Sequence, residues 1–82
     1  RKGFGPKKIF YELLEKGLYE KDINIAIYNE GEWELAAKKV FQKKFPRGKP
    51  DDIKLLLKQK SFLINRGFGF KEIESVFGND MV

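Results

Sequence analysis

Apolar residues recur along this chain at three- and four-residue intervals, and no stretch alternates long enough to make a strand. Five helices follow from that spacing and from the stop signals between them. The first runs from about Pro6 to Lys16, pairing Ile9 with Leu13 and Phe10 with Leu14 at i,i+4; proline suits its first turn and Gly17 its end. The second, about Glu20 to Tyr28, carries Ile23 and Ile27 on one side before "NEG" breaks the chain. The third, about Glu32 to Phe45, sets Trp33, Ala36, Ala37, Val40 and Phe41 on one face until Pro46 forbids its continuation. "PRGKP" leads to a fourth helix, capped by Asp51 or Asp52, which bears Ile53, Leu56, Leu57, Leu63 and Ile64 and stops at Gly67. A short fifth, about Phe70 to Phe77, turns Ile73, Val76 and Phe77 inward, and Trp33 and the eight Phe are expected in the core.

The helices repeat. "EKGLYEKDINIAI" laid over "NRGFGFKEIESVF" at an offset of 50 residues puts Gly17 on Gly67, Leu18 on Phe68, Lys21 on Lys71, Asp22 on Glu72, Ile23 on Ile73 and Ile27 on Phe77. Each glycine is expected to stop a helix in the left-handed conformation, with the following Leu or Phe folded back as the hydrophobic contact of that cap. Gly5 and Gly69 then take the N-cap positions of the helices that follow them. Neither Gly-Phe-Gly stretch suits a dinucleotide: Lys8 and Glu72 stand where a third glycine belongs, and no strand precedes either. The third helix precedes the second copy, so the full unit reads as three helices. Residues 1–29 are expected to be the last two helices of an incomplete three-helix repeat and 30–82 a complete one. The partnerless apolar face of the first helix, with the absence of an initiator Met, fits a fragment of a longer protein.

Composition narrows the chemistry. The chain has 82 residues, 41% hydrophobic, with neither Cys nor His, so thiol and imidazole catalysis and the common zinc ligands are excluded. Ser61 and Ser75 have no histidine to activate them, and the acids at Glu12 and Glu15 or Asp51 and Asp52 read as solvated or capping residues. No acidic loop has calcium-site spacing, and no apolar run is long enough for a membrane span. The expectation is a soluble, non-enzymatic domain without cofactor, metal or small-molecule substrate. Its 17 Lys and Arg against 12 Asp and Glu, a net charge of +5, favour an acidic partner, either nucleic acid or protein.

In their order and spacing, "KGFGPKKIFYELLEKGL", "EWELAAKKVFQKKF" and "FLINRGFGFKEIESVF" resemble the RecX family of bacterial regulators of the RecA recombinase. The resemblance covers nearly the whole chain. It departs from the family pattern at Tyr19, where a polar N-cap is usual, and at Gly69, where Ser or Tyr is common. It implies an all-α, elongated and curved array of tandem three-helix repeats in the bacterial cytoplasm. It also implies binding to RecA and its filaments on DNA, with inhibition of strand exchange, ATP hydrolysis and repressor cleavage, and in some members contact with DNA itself.

Candidate binding residues come from the polar faces. At about 100° per residue, Lys38, Lys39 and Gln42 lie away from the Trp33 and Val40 stripe, and with Lys43, Arg47 and Lys49 the lysines make a basic ridge. Such a ridge could meet an acidic RecA surface or DNA phosphates. It equally suits a solvated helix face with its positive charge near the helix C-terminus. Leu35 on the polar side of the same helix is a candidate contact, and Lys7, Lys8, Lys58, Lys60 and Arg66 are further exposed candidates. Lys44 falls in the apolar stripe and is expected either to snorkel past Phe41 or to lie where the helix frays. Trp33 and the phenylalanines lack the interleaved basic and aromatic platform of single-strand binders, and no helix N-terminus carries the Arg, Asn and Gln mix that reads bases. The rivals to RecA binding are sequence-independent binding of single- or double-stranded DNA and a purely structural helical domain that binds neither.

Overall fold

Residues 3–78 are described by the computed structural model, and among them lie five α-helices and no strand. They are α1 (Pro6–Glu15), α2 (Glu20–Glu30), α3 (Trp33–Lys44), α4 (Ile53–Asn65) and α5 (Phe70–Phe77). The arrangement is extended, 43 × 22 × 18 Å. Three helices differ at their ends from expectation, α1 only in stopping at Glu15 with Lys16 as its C-cap. Asn29 and Glu30 continue α2, which stops only at Gly31, whose N–H donates to the Ile27 carbonyl; α3 begins at Trp33 because Glu32 takes a left-handed conformation as its N-cap. Asp52 is the acid that caps α4, its Oδ1 accepting from Lys54 N–H at 3.1 Å.

The repeated glycines end α1 and α4 in the same way. Gly17 (φ +96°) and Gly67 (φ +98°) sit in the left-handed region. Gly17 N–H donates to Leu14 and Leu18 N–H to Leu13; 50 residues on, Gly67 N–H donates to Ile64 and Phe68 N–H to Leu63. Both are Schellman caps, which satisfy carbonyls that a helix end otherwise leaves open. Their hydrophobic halves differ. Phe68 is 2% exposed beneath the cluster that includes Ala37, Phe41 and Leu63, whereas Leu18 is 42% exposed, since no described residue beside α1 and α2 plays the part of Ala37 and Phe41.

The main core lies where α3 packs along α5, with α4 closing the side. Ala37, Phe41, Leu63, Phe68, Ile73 and Phe77 form its buried centre, and Ala36, Val40, Phe45, Leu56, Phe62 and Val76 pack around them. The aromatic rings meet at near-perpendicular or tilted angles: Phe41 with Phe77 at 5.3 Å, Phe41 with Phe45 at 5.3 Å, and Phe45 with Phe62 at 5.5 Å. Such contacts add to the area they bury. In the α1–α2 pair, Ile9 and Ile23 are the buried apolar side chains among the described residues.

The core is smaller than the sequence pattern implies. Phe41, Phe68 and Phe77 are buried, but Phe70 is 78% exposed, and Phe4, Phe10, Phe45, Phe62 and Trp33 are half-buried. Phe70 shares a stripe with Ile73 and Phe77, yet it is the first residue of α5. Helical side chains lean toward the N-terminus, so it projects past the packed part of the helix. On α4 only Leu56 and Leu63 of the expected stripe face inward, together with Gln59; Ile53, Leu57 and Ile64 are exposed, being about a quarter-turn away.

Hydrogen bonds near both ends of the α1–α2 pair join it to the rest. The Gly5 and Lys7 N–H groups donate to the Arg66 and Gly67 carbonyls at 2.7 and 2.9 Å, so the open donors at the start of α1 meet the open acceptors at the end of α4. A Cβ on Gly5 would lie 2.6 Å from the Gly67 carbonyl, and one on Gly67 would lie 2.5 Å from Lys8 Cβ; the two Gly-Phe-Gly stretches are thus in backbone contact. Near the other end of the pair, Trp33 Nε1–H donates to the Ile27 carbonyl at 3.0 Å.

Candidate partner-binding surface

The cations of α3 belong to two grooves. Lys39 and Lys43, one helical turn apart and exposed, line the first together with Lys44, Val40, Phe62, Arg66 and Gly3, a space of about 460 Å³. Lys38, Arg47 and Lys49 line the second, of about 340 Å³, with Phe41, Phe45 and Val76 among its apolar walls. The ridge expected from the helical wheel is therefore divided by the α3 axis, because Lys38 and Lys39 diverge by about 100° around it.

Three of the expected exposed cations are more engaged than the sequence suggests. Lys49 Nζ donates to the Phe77 carbonyl at 2.9 Å, closing the open C-terminus of α5. Lys60 is half-buried, 3.8 Å from Glu74 and 5.4 Å from the centre of the Phe77 ring. Arg66 is half-buried too, its guanidinium carbon 5.3 Å from the Phe62 centroid and 5.7 Å from that of Phe4. Aromatic rings beside Lys60 and Arg66 draw those two long side chains inward, and one sequence cannot show such neighbours.

The remaining candidates are dispersed. Lys8 is exposed over the Phe4 ring at 5.1 Å, Lys7 borders a shallow depression with Phe10, Tyr11 and Ile27, and Lys58 is exposed and lines neither groove. Leu35 is exposed on α3, away from both grooves. Lys44 is exposed as snorkelling requires, but passes over Phe62, at 5.5 Å, rather than Phe41. Sequence reasoning missed its part in the first groove. It also missed the buried Gln59, whose Nε2 donates to the Gly48 carbonyl at 3.2 Å and holds the α3–α4 connector. Its place in the i,i+3/i,i+4 series with Leu56 and Leu63 was the available signal.

Among the described residues, no group of three or more acidic, His or Cys side chains is disposed to hold a metal ion, and no helix is long and apolar enough to cross a membrane. Fold and surface together define a small helical-repeat module whose units are punctuated by Schellman glycines and whose α3 helix presents lysines to two grooves. Comparison with known proteins places that module. Residues 32–77 match the family described as "RecX, third three-helix domain". The chain is 40% identical over 83 residues to the "Regulatory protein RecX" of Yersinia enterocolitica, an alignment covering all of this chain and 49% of that protein. It is 36% identical over 81 residues to that of Pectobacterium atrosepticum, covering 96% and 49%, and 38% identical over 78 residues to that of Yersinia pseudotuberculosis, covering 94% and 43%. No solved structure matches it. The chain belongs to the RecX family and spans about half the length, or slightly less, of these curated relatives, which are named as regulatory proteins.

Proposed function

We propose that this chain serves in a regulator, itself without catalytic activity, that binds RecA and its filaments on DNA in the bacterial cytoplasm. There it restrains strand exchange, ATP hydrolysis and repressor cleavage, and so modulates recombinational repair and the SOS response. Membership of the RecX family is the observation that supports this reading. We divide the chain into the last two helices of one three-helix repeat (1–29) and a following three-helix repeat (30–82). A helical array offers a polymeric filament several modest contacts in a row, and these strengthen one another when they repeat. Lys38, Lys39 and Lys43 are the leading contact residues, with Arg47, Lys58, Lys7, Lys8 and Leu35 as outer ones. Lys49, Lys60 and Arg66 contribute less freely because their heads are partly engaged within the fold.

Charge reversal of Lys38, Lys39 and Lys43 together tests this reading by co-sedimentation with RecA filaments. The folded variant should bind more weakly than the parent, and unchanged binding would remove these residues from the interface. The cationic α3 surface also favours a second reading, direct DNA binding. In that case affinity for DNA without RecA should be substantial and fall steeply with salt.

A further inference from the structure

The first groove has a feature that net charge does not explain. Its lining residues, Lys39, Lys43, Lys44, Arg66, Val40, Phe62 and Gly3, include no carboxylate. Lys39, Lys43 and Lys44 form no ion pair among the described residues, whereas Lys60 and Lys71, elsewhere on the surface, stand at 3.8 and 4.0 Å from Glu74 and Glu34. Lys44 lies instead against Phe62, at 5.5 Å from its centroid, and the Arg66 guanidinium carbon is 5.3 Å from the same ring. A cation placed on an aromatic ring is held in position yet keeps its charge, while one paired with a carboxylate is largely neutralised. The groove thus combines positioned positive charge with the apolar surface of Val40 and Phe62.

We infer that this groove receives an acidic peptide segment carrying one bulky apolar side chain, with that side chain seated on Val40 and Phe62 and its neighbouring carboxylates against Lys39, Lys43 and Lys44. The space of about 460 Å³ falls within the range of ligand pockets and exceeds a single side chain. Lys39 and Lys43 are separated by about 6 Å along α3, close to the rise of about 6.6 Å between alternate residues of an extended peptide, so successive same-side carboxylates can meet both. A nucleic-acid strand would satisfy the cations but leave the apolar surface uncovered. The proposal rests on the regulator reading only for the source of the peptide, an acidic surface segment of the regulated protein. The chemistry of the groove is testable without that protein.

The test is fluorescence anisotropy of the folded chain with three labelled probes. One is a short peptide of aspartate and glutamate around a single phenylalanine, the second has serine in place of that phenylalanine, and the third is an oligothymidylate of equal charge. The phenylalanine peptide should bind about tenfold more tightly than the serine peptide, the gain expected from burying much of one aromatic side chain. Lys39→Glu with Lys43→Glu should weaken it by about tenfold or more, while Lys54→Glu, exposed and outside both grooves, should change it far less. Val40→Thr keeps the shape but makes the floor polar, and should narrow the gap between the two peptides. Circular dichroism establishes that each variant is folded. Equal binding of the two peptides would overturn the proposal, as would tighter binding of the oligothymidylate with displacement of the phenylalanine peptide.

Discussion

Replacing Gly67 by alanine should destabilise the protein more than replacing Gly17, although the two glycines have the same conformation and end their helices with the same hydrogen bonds. Both substitutions place an L side chain in the left-handed region, at a cost of about 1–2 kcal/mol. At Gly17 the cost should end there, because a Cβ would meet nothing within 4 Å. At Gly67 the Cβ would lie 2.5 Å from Lys8 Cβ and 2.6 Å from Lys8 N. Those are atoms at the start of a helix rather than the tip of a flexible side chain, so α1 must move. Displacement of this kind adds about 1–3 kcal/mol and puts at risk the two hydrogen bonds from Gly5 and Lys7 to the end of α4. Gly5→Ala isolates the steric part: its φ of −90° is open to any residue, yet its Cβ would lie 2.6 Å from the Gly67 carbonyl. Urea unfolding followed by circular dichroism should give losses ordered Gly67→Ala, largest, above Gly17→Ala, with Gly5→Ala also destabilising by about 1–3 kcal/mol. Equal losses at Gly17 and Gly67, together with a neutral Gly5→Ala, would refute the backbone contact between the two Gly-Phe-Gly stretches.

Other expectations rest on single contacts. Trp33→Phe removes the donor to the Ile27 carbonyl while keeping an aromatic body. It should cost about 0.5–1.5 kcal/mol in urea unfolding and speed hydrogen exchange in the last turn of α2. Asp52→Ala should cost about 1 kcal/mol by freeing the Lys54 N–H at the start of α4, whereas Asp51→Ala should be near neutral in the same assay. Leu63→Ala, at a side chain with 0% exposure in the main cluster, should cost about 2–5 kcal/mol, measured in the same way.

The elements most readable from sequence were those determined by neighbours along the chain. Gly17 and Gly67 mark helix ends because a left-handed residue and a following apolar side chain form a local device; both hydrogen-bonded caps formed as expected, but of the two apolar halves Phe68 is buried and Leu18 is exposed. The inward face of α3 was legible for a related reason: Ala36, Ala37, Val40 and Phe41 share one stripe and face α5 and α4 across the main core. The α4 helix was harder, since its apolar residues wrap around more than one face. Periodicity could not favour Leu63 over Ile64, or show that Gln59 would be buried while Leu57 stayed exposed. The contact of Gly5 with Gly67 was beyond local reasoning, because nothing adjacent to either glycine specifies the other. The candidate cations were found by type and helical face, but their division between two grooves depends on where Phe62, Val76 and Gly3 arrive from elsewhere in the chain.

The most direct measurement is the steady-state ATPase of RecA on single-stranded DNA, titrated with this chain and accompanied by a DNA-binding control without RecA. Regulation through the filament predicts inhibition at concentrations where the control shows no binding to DNA, and its loss when Lys38, Lys39 and Lys43 are reversed in charge. Undiminished ATPase under saturating folded chain, or inhibition only where the chain already coats the DNA, would contradict direct filament binding by these helices.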